Sequence, residues 1–295
     1  MGGTYHRGSL AVQERLGVRG PAEHVGRSIG TGIREVAAAF LELQPHLVVA
    51  AADDAGRMWA SLLTGAPGFV RATGPDRIAV AGGLPAGDPL TGALATDGTR
   101  VGTLALDPRT RRRMRLNGTL AVTPRGFAVT AERVFSNCPK YLQKRQPLEV
   151  AAQGAGIVRR GEALDPDQVR AVRSADTFFV ATTARADGVD ASHRGGLPGF
   201  VEVLSPHELA WPDYAGNAMF LTLGNLEVDP RAGLLFPDWE SGAVLQLSGR
   251  ARTEFGDDGS RRTRFRVESV VEGVHPGRLL WSTPEYSPHL GSTTR

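Results

Sequence analysis

Ser192, His193, Arg194, Gly195 and Gly196 follow one another in the chain and put a hydroxyl, an imidazole, a guanidinium and two side-chain-free backbones into one short stretch. A dianionic phosphate needs converging N–H and O–H donors and a cation. Arginine offers planar two-point contact, and glycine lets main-chain N–H groups come close. The run predicts a phosphate cradle, with a strand-edge loop carrying a surface ion pair as the alternative. Asn217, Thr222 and Asn225 recur at spacings that fit a short helix whose apolar partners are Met219, Phe220 and Leu223. A helix N-terminus favours the same anion, while a capped helix with a polar outer face accounts for these residues equally well.

Arg109, Arg111, Arg112, Arg113 and Arg115 form the densest basic run, and on a strand Arg111, Arg113 and Arg115 share a face. The preferred reading is a solvated edge strand, where positive charge discourages edge-to-edge pairing; an anionic substrate or a cofactor phosphate is the alternative. Cys138 is the one cysteine, which excludes an intramolecular disulfide; it reads as a small buried apolar residue before it reads as a nucleophile. The 7 histidines are scattered without paired spacing, so no metal site is expected. Neither Ser61 nor Ser192 sits in a nucleophile elbow. The glycines at 26, 30 and 32 precede a helix but follow no strand, so a dinucleotide fingerprint lacks its context.

The elements that must position these residues are written twice. Residues 46–70 and 177–201 align at an offset of 131, which sets Ser61 on Ser192 and makes Val49, Ala50, Ala60, Gly65, Pro67, Gly68, Phe69 and Val70 meet identical residues. The register continues with Gly102 on Gly233, Leu104 on Leu235, Leu116 on Leu247 and Gly118 on Gly249. A period this long is a duplicated domain, since solenoid units run to roughly 20 to 50 residues. Two like halves in one chain amount to a covalent two-fold dimer, so a site at the seam exists in two non-identical copies. The first copy of the cradle, Ser61 to Gly65, has lost the histidine and the arginine and is expected to be weak or empty.

Short strands with turn signals at close spacing and one helix per repeat predict a mainly β fold of two tandem antiparallel barrels. LVVAAA and RMWASLL around Asp53–Gly56 read as a hairpin. Thr31 reads as the cap of a helix with Ile33, Val36, Ala37, Phe40 and Leu41 on one face. Asp165 reads as the cap of another. The chain divides into an irregular polar N-terminal arm (1–30), a first repeat (31–145), a linker (146–175), a second repeat (176–275) and a C-terminal tail (276–295). With 41% hydrophobic and 22% charged residues and a net charge of +3, the composition is that of a soluble globular protein and gives little support to nucleic-acid binding. No leader pattern and no apolar run of about 18 residues is present, so a cytoplasmic protein without a membrane partner is expected.

The passage ELAWPDYAGNAMFLTLGNLEVDPRAGLLFPDWESGAVLQLSGRA, preceded by DASHRGGLPGFV, resembles the flavin-binding core of the pyridoxamine 5′-phosphate oxidase-related proteins, the FMN-binding split barrels. The first repeat, closed by NCPKYLQKR, resembles it too, so the likeness covers roughly residues 38–270. It implies two split barrels forming an intrachain pseudo-dimer with FMN at their seam. Carried over residue by residue, it places Ser192, His193, Arg194 and Gly195 along the flavin towards its phosphate. Tyr214, Asn217, Thr222 and Asn225 fall in the second cofactor segment, Lys140 and Tyr141 in the stretch a partner subunit would lend, and Gln246 is counted with the cofactor-binding residues. The vitamin B6 oxidases carry an Arg-x-x-x-Leu-Lys stretch and a Ser-Arg-Lys cluster where this chain has Asp190 to Gly195 and Asn217-Ala218-Met219. The resemblance therefore implies flavin chemistry rather than vitamin B6 oxidation. It implies an oxidoreductase acting on a small molecule with NAD(P)H as a candidate donor, working as a monomeric pseudo-dimer or a homodimer. Alternatives are a barrel that takes the deazaflavin F420 or haem, with His193 as an axial ligand, and a non-catalytic flavin-binding or structural module.

Overall fold

A computed structural model describes residues 4–137, 139–152, 156–274 and 277–290. The first repeat forms β1 (His46–Ala52), β2 (Met58–Thr64), β3 (Val70–Gly74), β4 (Arg77–Ala81), β5 (Arg100–Asp107), β6 (Arg112–Thr123) and β7 (Gly126–Ser136). These make one antiparallel sheet in the order β2-β1-β5-β6-β7-β4-β3. After the linker strands β8 (Pro147–Ala152) and β9 (Gly156–Gly161), the second repeat forms β10 (Thr177–Thr183), β11 (Val189–Gly195), β12 (Glu202–Ser205), β13 (Glu208–Pro212), β14 (Arg231–Pro237), β15 (Ala243–Phe255) and β16 (Arg261–Val274). Their order, β11-β10-β14-β15-β16-β13-β12, is that of the first sheet strand for strand. Both sheets run from edge to edge without closing, so the barrels are open ones. Even the irregularities are copied: β6 carries a register shift at Asn117/Gly118 and β15 one at Ser248/Gly249.

The hairpin expected around Asp53 is formed. Asp53 Oδ1 accepts from the Ala55 and Arg57 N–H groups, and Gly56 supplies the positive φ of 76° that the turn requires. The continuous apolar character of β1 has a direct cause, since both its faces are covered. Leu47, Val49 and Ala51 enter the core of the first repeat. Val48 and Ala50 enter a separate cluster shared with Phe179, Ala181, Ala191 and Leu235 of the second. Strands buried on both faces lose the polar alternation of a half-exposed one.

At this shared cluster β5 crosses β11 and β14 crosses β2, and the repeated pair Gly102/Gly233 makes the crossings possible. A Cβ on Gly102 would lie 2.7 Å from the Ala191 nitrogen, and one on Gly233 would lie 2.5 Å from the Met58 carbonyl oxygen. Backbone sits on backbone at both places. Gly102→Ala is therefore expected to destabilise the protein by about 1–3 kcal/mol, the usual cost of overpacking, with a similar loss for Gly233→Ala. Chemical denaturation measures this, and a Gly102→Ala protein as stable as wild type would contradict the crossing.

Several expectations are corrected at the ends of the chain. The N-terminal arm is helical: α1 (Arg7–Arg15) and α2 (Arg19–Gly26) precede α3 (Glu35–Glu42). Tyr5, His6, Val12 and Gln13 are buried, because α1 packs on the second repeat. Thr31 does not cap α3; Arg34 occupies that position without a side-chain bond. The linker is largely regular, since β9 pairs with β16 and extends the second sheet, while β8 pairs with β17 (Gly277–Trp281) of the tail. Between β4 and β5 lies the single-turn α4 (Thr91–Leu94). Helix α5 (Pro166–Ser174) starts as the sequence reads it, with Asp165 and Gln168 forming a capping box. Cys138 lies outside the described residues. Among the described residues no helix is long and apolar enough to cross a membrane.

Candidate functional site

The pseudo-two-fold seam contains two equivalent crevices with opposite fates. In one, β6 of the first repeat faces β11 of the second. The other is its counterpart, where β15 faces β2.

The second of these is filled by its own side chains. Gln246 Nε2 lies 2.9 Å from the Ala60 carbonyl oxygen, 2.8 Å from Ser61 Oγ and 3.2 Å from Asp88 Oδ2. Ser61 Oγ donates to Asp88 Oδ1 at 2.7 Å, and the Leu90 N–H donates to the same oxygen. Burial pushes the Asp88 carboxyl up, against the hydrogen bonds that favour its charge. Gln246, grouped with the cofactor residues by the resemblance, thus belongs to the other crevice. The offset of 131 pairs it with Arg115, so it occupies the position in the first-copy site that Arg115 holds in the open one.

The first crevice is an open cleft. Arg113 and Arg115, two residues apart on β6, reach it together with Asn137 and Lys140 from the first repeat. Ser192, His193, Arg194 and Gly195 enter from β11, Tyr141 from the segment that follows β7, and Asp213, Tyr214 and Asn217 from the loop after β13. The first turn of α6 (Leu221–Val228) closes one end through Leu221, Thr222 and Leu223. The edge-strand reading of the arginine run is overturned by this arrangement. β6 is paired on both sides, by β5 and β7, and Arg113 and Arg115 point to the seam instead of to water, while Arg112 stays exposed. Arg111 is held by the carbonyl groups of Leu142, Glu285 and Tyr286.

The electrostatics of the cleft are lopsided. Arg115 and Asp190 form an ion pair with side chains only 5% exposed, and Asn117 Nδ2 donates to the other Asp190 oxygen at 2.9 Å. Arg194 donates to Ser192 Oγ at 2.8 Å and stands 3.8 Å from Asp213, a carboxylate that Arg261 already holds at 2.9 Å. Burial lowers the Arg194 pKa; Asp213 works against that, and Arg115 reinforces it. Four cationic side chains, Arg113, Arg115, Lys140 and Arg194, line the cleft with one carboxylate, Asp213. Arg115 Nε and Arg194 Nε are buried without a hydrogen-bond partner. α6 adds to this field, because its N-cap, Phe220, offers no side-chain bond to the first-turn N–H groups.

His193 is fixed in one tautomer. Burial, then Arg113 and Arg194, hold its pKa well below 6.5, so the ring is neutral near pH 7. Arg113 Nη1 lies 3.1 Å from His193 Nδ1, and a guanidinium can only donate. Nδ1 therefore accepts and Nε2 carries the proton. That Nε2–H is buried and has no partner. It is a donor awaiting an acceptor.

Lys140 and Tyr141 line the cleft, carried from the first repeat onto the second. Arg145 ties this segment down through a 2.6 Å ion pair with Asp176, and Tyr141 Oη donates to the Ala215 carbonyl at 2.9 Å while its ring lies 5.0 Å from that of Tyr214. Asn217 lines the cleft from the loop before α6 instead of from the helix, its Oδ1 accepting from the Met219 N–H. Asn225 does not line it. Its Oδ1 is 2.9 Å from His6 Nε2, and its Nδ2 donates to Thr182. Gln13 donates to the Met219 carbonyl, so α1 buttresses the cleft wall, in which Ala218 and Phe220 hold positive φ values of 59° and 51°. Such residues cost about 1–3 kcal/mol each and persist only when the surroundings impose them. The role of His6 and Gln13 is invisible in the sequence, where they sit among polar residues.

A duplicated open β-module with a cationic crevice at its seam defines a class of intrachain pseudo-dimers. Residues 165–285 match the family model of pyridoxamine 5′-phosphate oxidase, which places this second module with the pyridoxamine 5′-phosphate oxidase-related proteins. Among solved structures, a Lactobacillus delbrueckii protein provisionally assigned as a pyridoxamine 5′-phosphate oxidase is similar at 16% identity, over 37% of this chain and 94% of that one, with a TM-score of 0.31. The HupZ protein of Group A Streptococcus is similar at 13% identity, over 39% and 98%, with a TM-score of 0.31. A heme binding protein of Mycobacterium smegmatis is similar at 18% identity, over 44% and 62%, with a TM-score of 0.26. No curated protein matches the chain.

Proposed function

We propose that the open cleft binds FMN through its phosphate and that the chain is a flavin-dependent oxidoreductase acting on a small molecule. The observation that carries this reading is the buried cationic excess: arginine N–H groups and the His193 Nε2–H lack partners in a site with too few carboxylates to neutralise it. A dianion with several acceptor oxygens satisfies both deficits at once. Arg194, Arg115 and Lys140 would hold the phosphate with the first turn of α6, and Tyr141 and Tyr214 offer aromatic surface beside it. Arg113 has a positioning part, since its bond to Nδ1 keeps the His193 Nε2–H directed at an acceptor. A flavin bound there supplies hydride or electron transfer, which fits a cleft without an acid–base pair of its own.

The haem alternative is disfavoured by the same tautomer. A neutral imidazole that accepts at Nδ1 has no lone pair at Nε2 for iron, so ligation by His193 would require breaking its bond to Arg113. NADH or NADPH is the proposed electron donor, and the single cysteine suits a reducing, cytoplasmic setting.

Titrating the ligand-free protein with FMN and, separately, riboflavin tests the proposal. FMN is expected to bind at one equivalent per chain and at least about 10-fold more tightly than riboflavin. Arg194→Ala should weaken FMN by about 10- to 100-fold, as the loss of a charge-assisted hydrogen bond implies, and leave riboflavin nearly unaffected. Equal affinities for the two flavins, or an unchanged Arg194→Ala, would refute phosphate recognition. Parallel titration with the deazaflavin separates the two ring systems.

A further inference from the structure

A second cavity lies beside the cleft. It runs between α3 with its lead-in and the strand ends of β6 and β7, encloses about 460 Å³, and touches the cleft at Arg113 and Asn137. That volume falls within the roughly 300–1,000 Å³ of ordinary ligand sites.

Its walls combine two properties. Val36, Ala37, Phe40, Met114, Phe135 and Pro139 give it an apolar floor, with Val36 left 61% exposed on α3. Around that floor stand Arg27, Arg34, Arg111, Arg112 and Arg113, and not one lining residue is a carboxylate; Glu35 of the same helix is not among them. Arg111 is committed to the tail carbonyls and Arg113 to His193. The guanidinium of Arg112 lies over the Phe40 ring at 5.4 Å, and Arg27 meets only the His24 imidazole. Among the described residues neither Arg34 nor Arg112 has an ion-pair partner. Exposed arginines on an ordinary solvated face are interleaved with acids, as Arg262 is with Glu202 and Arg264 with Glu208 elsewhere in this protein. Here the exposed Val36 and Pro139 and the half-buried Ala37 coincide with unpaired guanidinium groups.

We infer that this groove is a separate binding site for an amphipathic organic anion, with its apolar body on Val36, Ala37 and Pro139 and its carboxylate or phosphate between Arg34 and Arg112. The inference does not depend on what fills the cleft. Because Arg113 forms part of both walls, an occupant of the groove sits next to the residue that fixes the His193 tautomer.

1-Naphthyl phosphate is a suitable probe, with inorganic phosphate as the control that lacks an apolar body. Calorimetric titration of the full chain should reveal a site that persists in Arg194→Ala. At that site inorganic phosphate should bind at least about 10-fold more weakly, and Arg34→Ala/Arg112→Ala should lose at least about 10-fold in affinity. Both substituted side chains are exposed, and thermal unfolding of the double variant should match wild type. Absence of any site that survives Arg194→Ala, or a naphthyl phosphate affinity indifferent to the double substitution, would overturn the inference. Inorganic phosphate binding as tightly as the aromatic ester would overturn it as well.

Discussion

Replacing Arg115 with methionine is expected to lower the stability of the ligand-free protein by about 3–5 kcal/mol, the cost of stranding one member of a buried ion pair. The stranded group is Asp190, whose carboxylate is as deeply buried as the arginine and would keep only Asn117 as a partner. Part of the loss also comes from the Phe135 ring, which lies 4.6 Å from the guanidinium carbon. Arg115→Met/Asp190→Leu should recover most of the stability, because an apolar pair of similar volume removes two desolvation penalties together. It should not recover affinity for FMN, since the proposed phosphate donor is gone. Urea denaturation of the single and double variants, followed by flavin titration of the double, separates the two roles. A single variant as stable as wild type would show that the pair does not span the seam.

The second large effect is a pH dependence. His46 is fully buried between Trp239 and Trp281, at ring distances of 5.9 and 5.6 Å, and neither imidazole nitrogen has a hydrogen-bond partner. Burial lowers its pKa from 6.5 to about 4. Above pH 6.5 the ring is neutral whether the chain is folded or not, and the stability is unaffected. Between pH 6.5 and 4 the unfolded chain takes up a proton that the folded one refuses, so stability falls as the pH falls. The full loss is about 3 kcal/mol, reached near pH 4. His193, lowered by burial and two arginines, and His6, lowered by burial, act in the same direction. His46→Leu should therefore lose about 2 kcal/mol less than wild type between pH 7 and pH 5. At pH 7 it should be at least as stable as wild type, because it relieves two unsatisfied polar atoms. Identical pH slopes for the two proteins would disprove the assignment.

How far the sequence could be read depended on where each signal was stored. Local and repeated signals were legible: the Asp53–Gly56 turn, the Asp165 cap, and strands that recur at a constant offset in two sheets of identical order. The β11 segment from Ser192 to Gly195 was legible as chemistry because donors, cation and bare backbone are neighbours in the chain. What escaped was everything set by contacts across the seam. Arg113 and Arg115 meet His193 and Asp190 from 80 and 75 residues away, and a run of arginines resembles a solvated face until its strand is known to be central. A clue existed, since Arg115 and Gln246 are matched polar residues, each flanked by Leu at the following residue, at one position of the duplicated strand. The N-terminal helices escaped for the opposite reason. His6 and Gln13 are polar because they satisfy polar groups of α6 and its approach loop, and Ser9 because it bonds His6, not because they face water.

The filled crevice has a consequence for how this molecule can change. In an association of identical subunits, every substitution near the symmetry axis lands in both pockets, so neither can be given up without the other. Fusion lifts that restriction. Ser61, Asp88 and Gln246 have become a bolt of hydrogen bonds that clamps the halves from one side, leaving the opposite side free to be shaped by a guest. The molecule works as a lock with its hinge on one edge and its keyhole on the other, and strengthening the hinge need not narrow the keyhole.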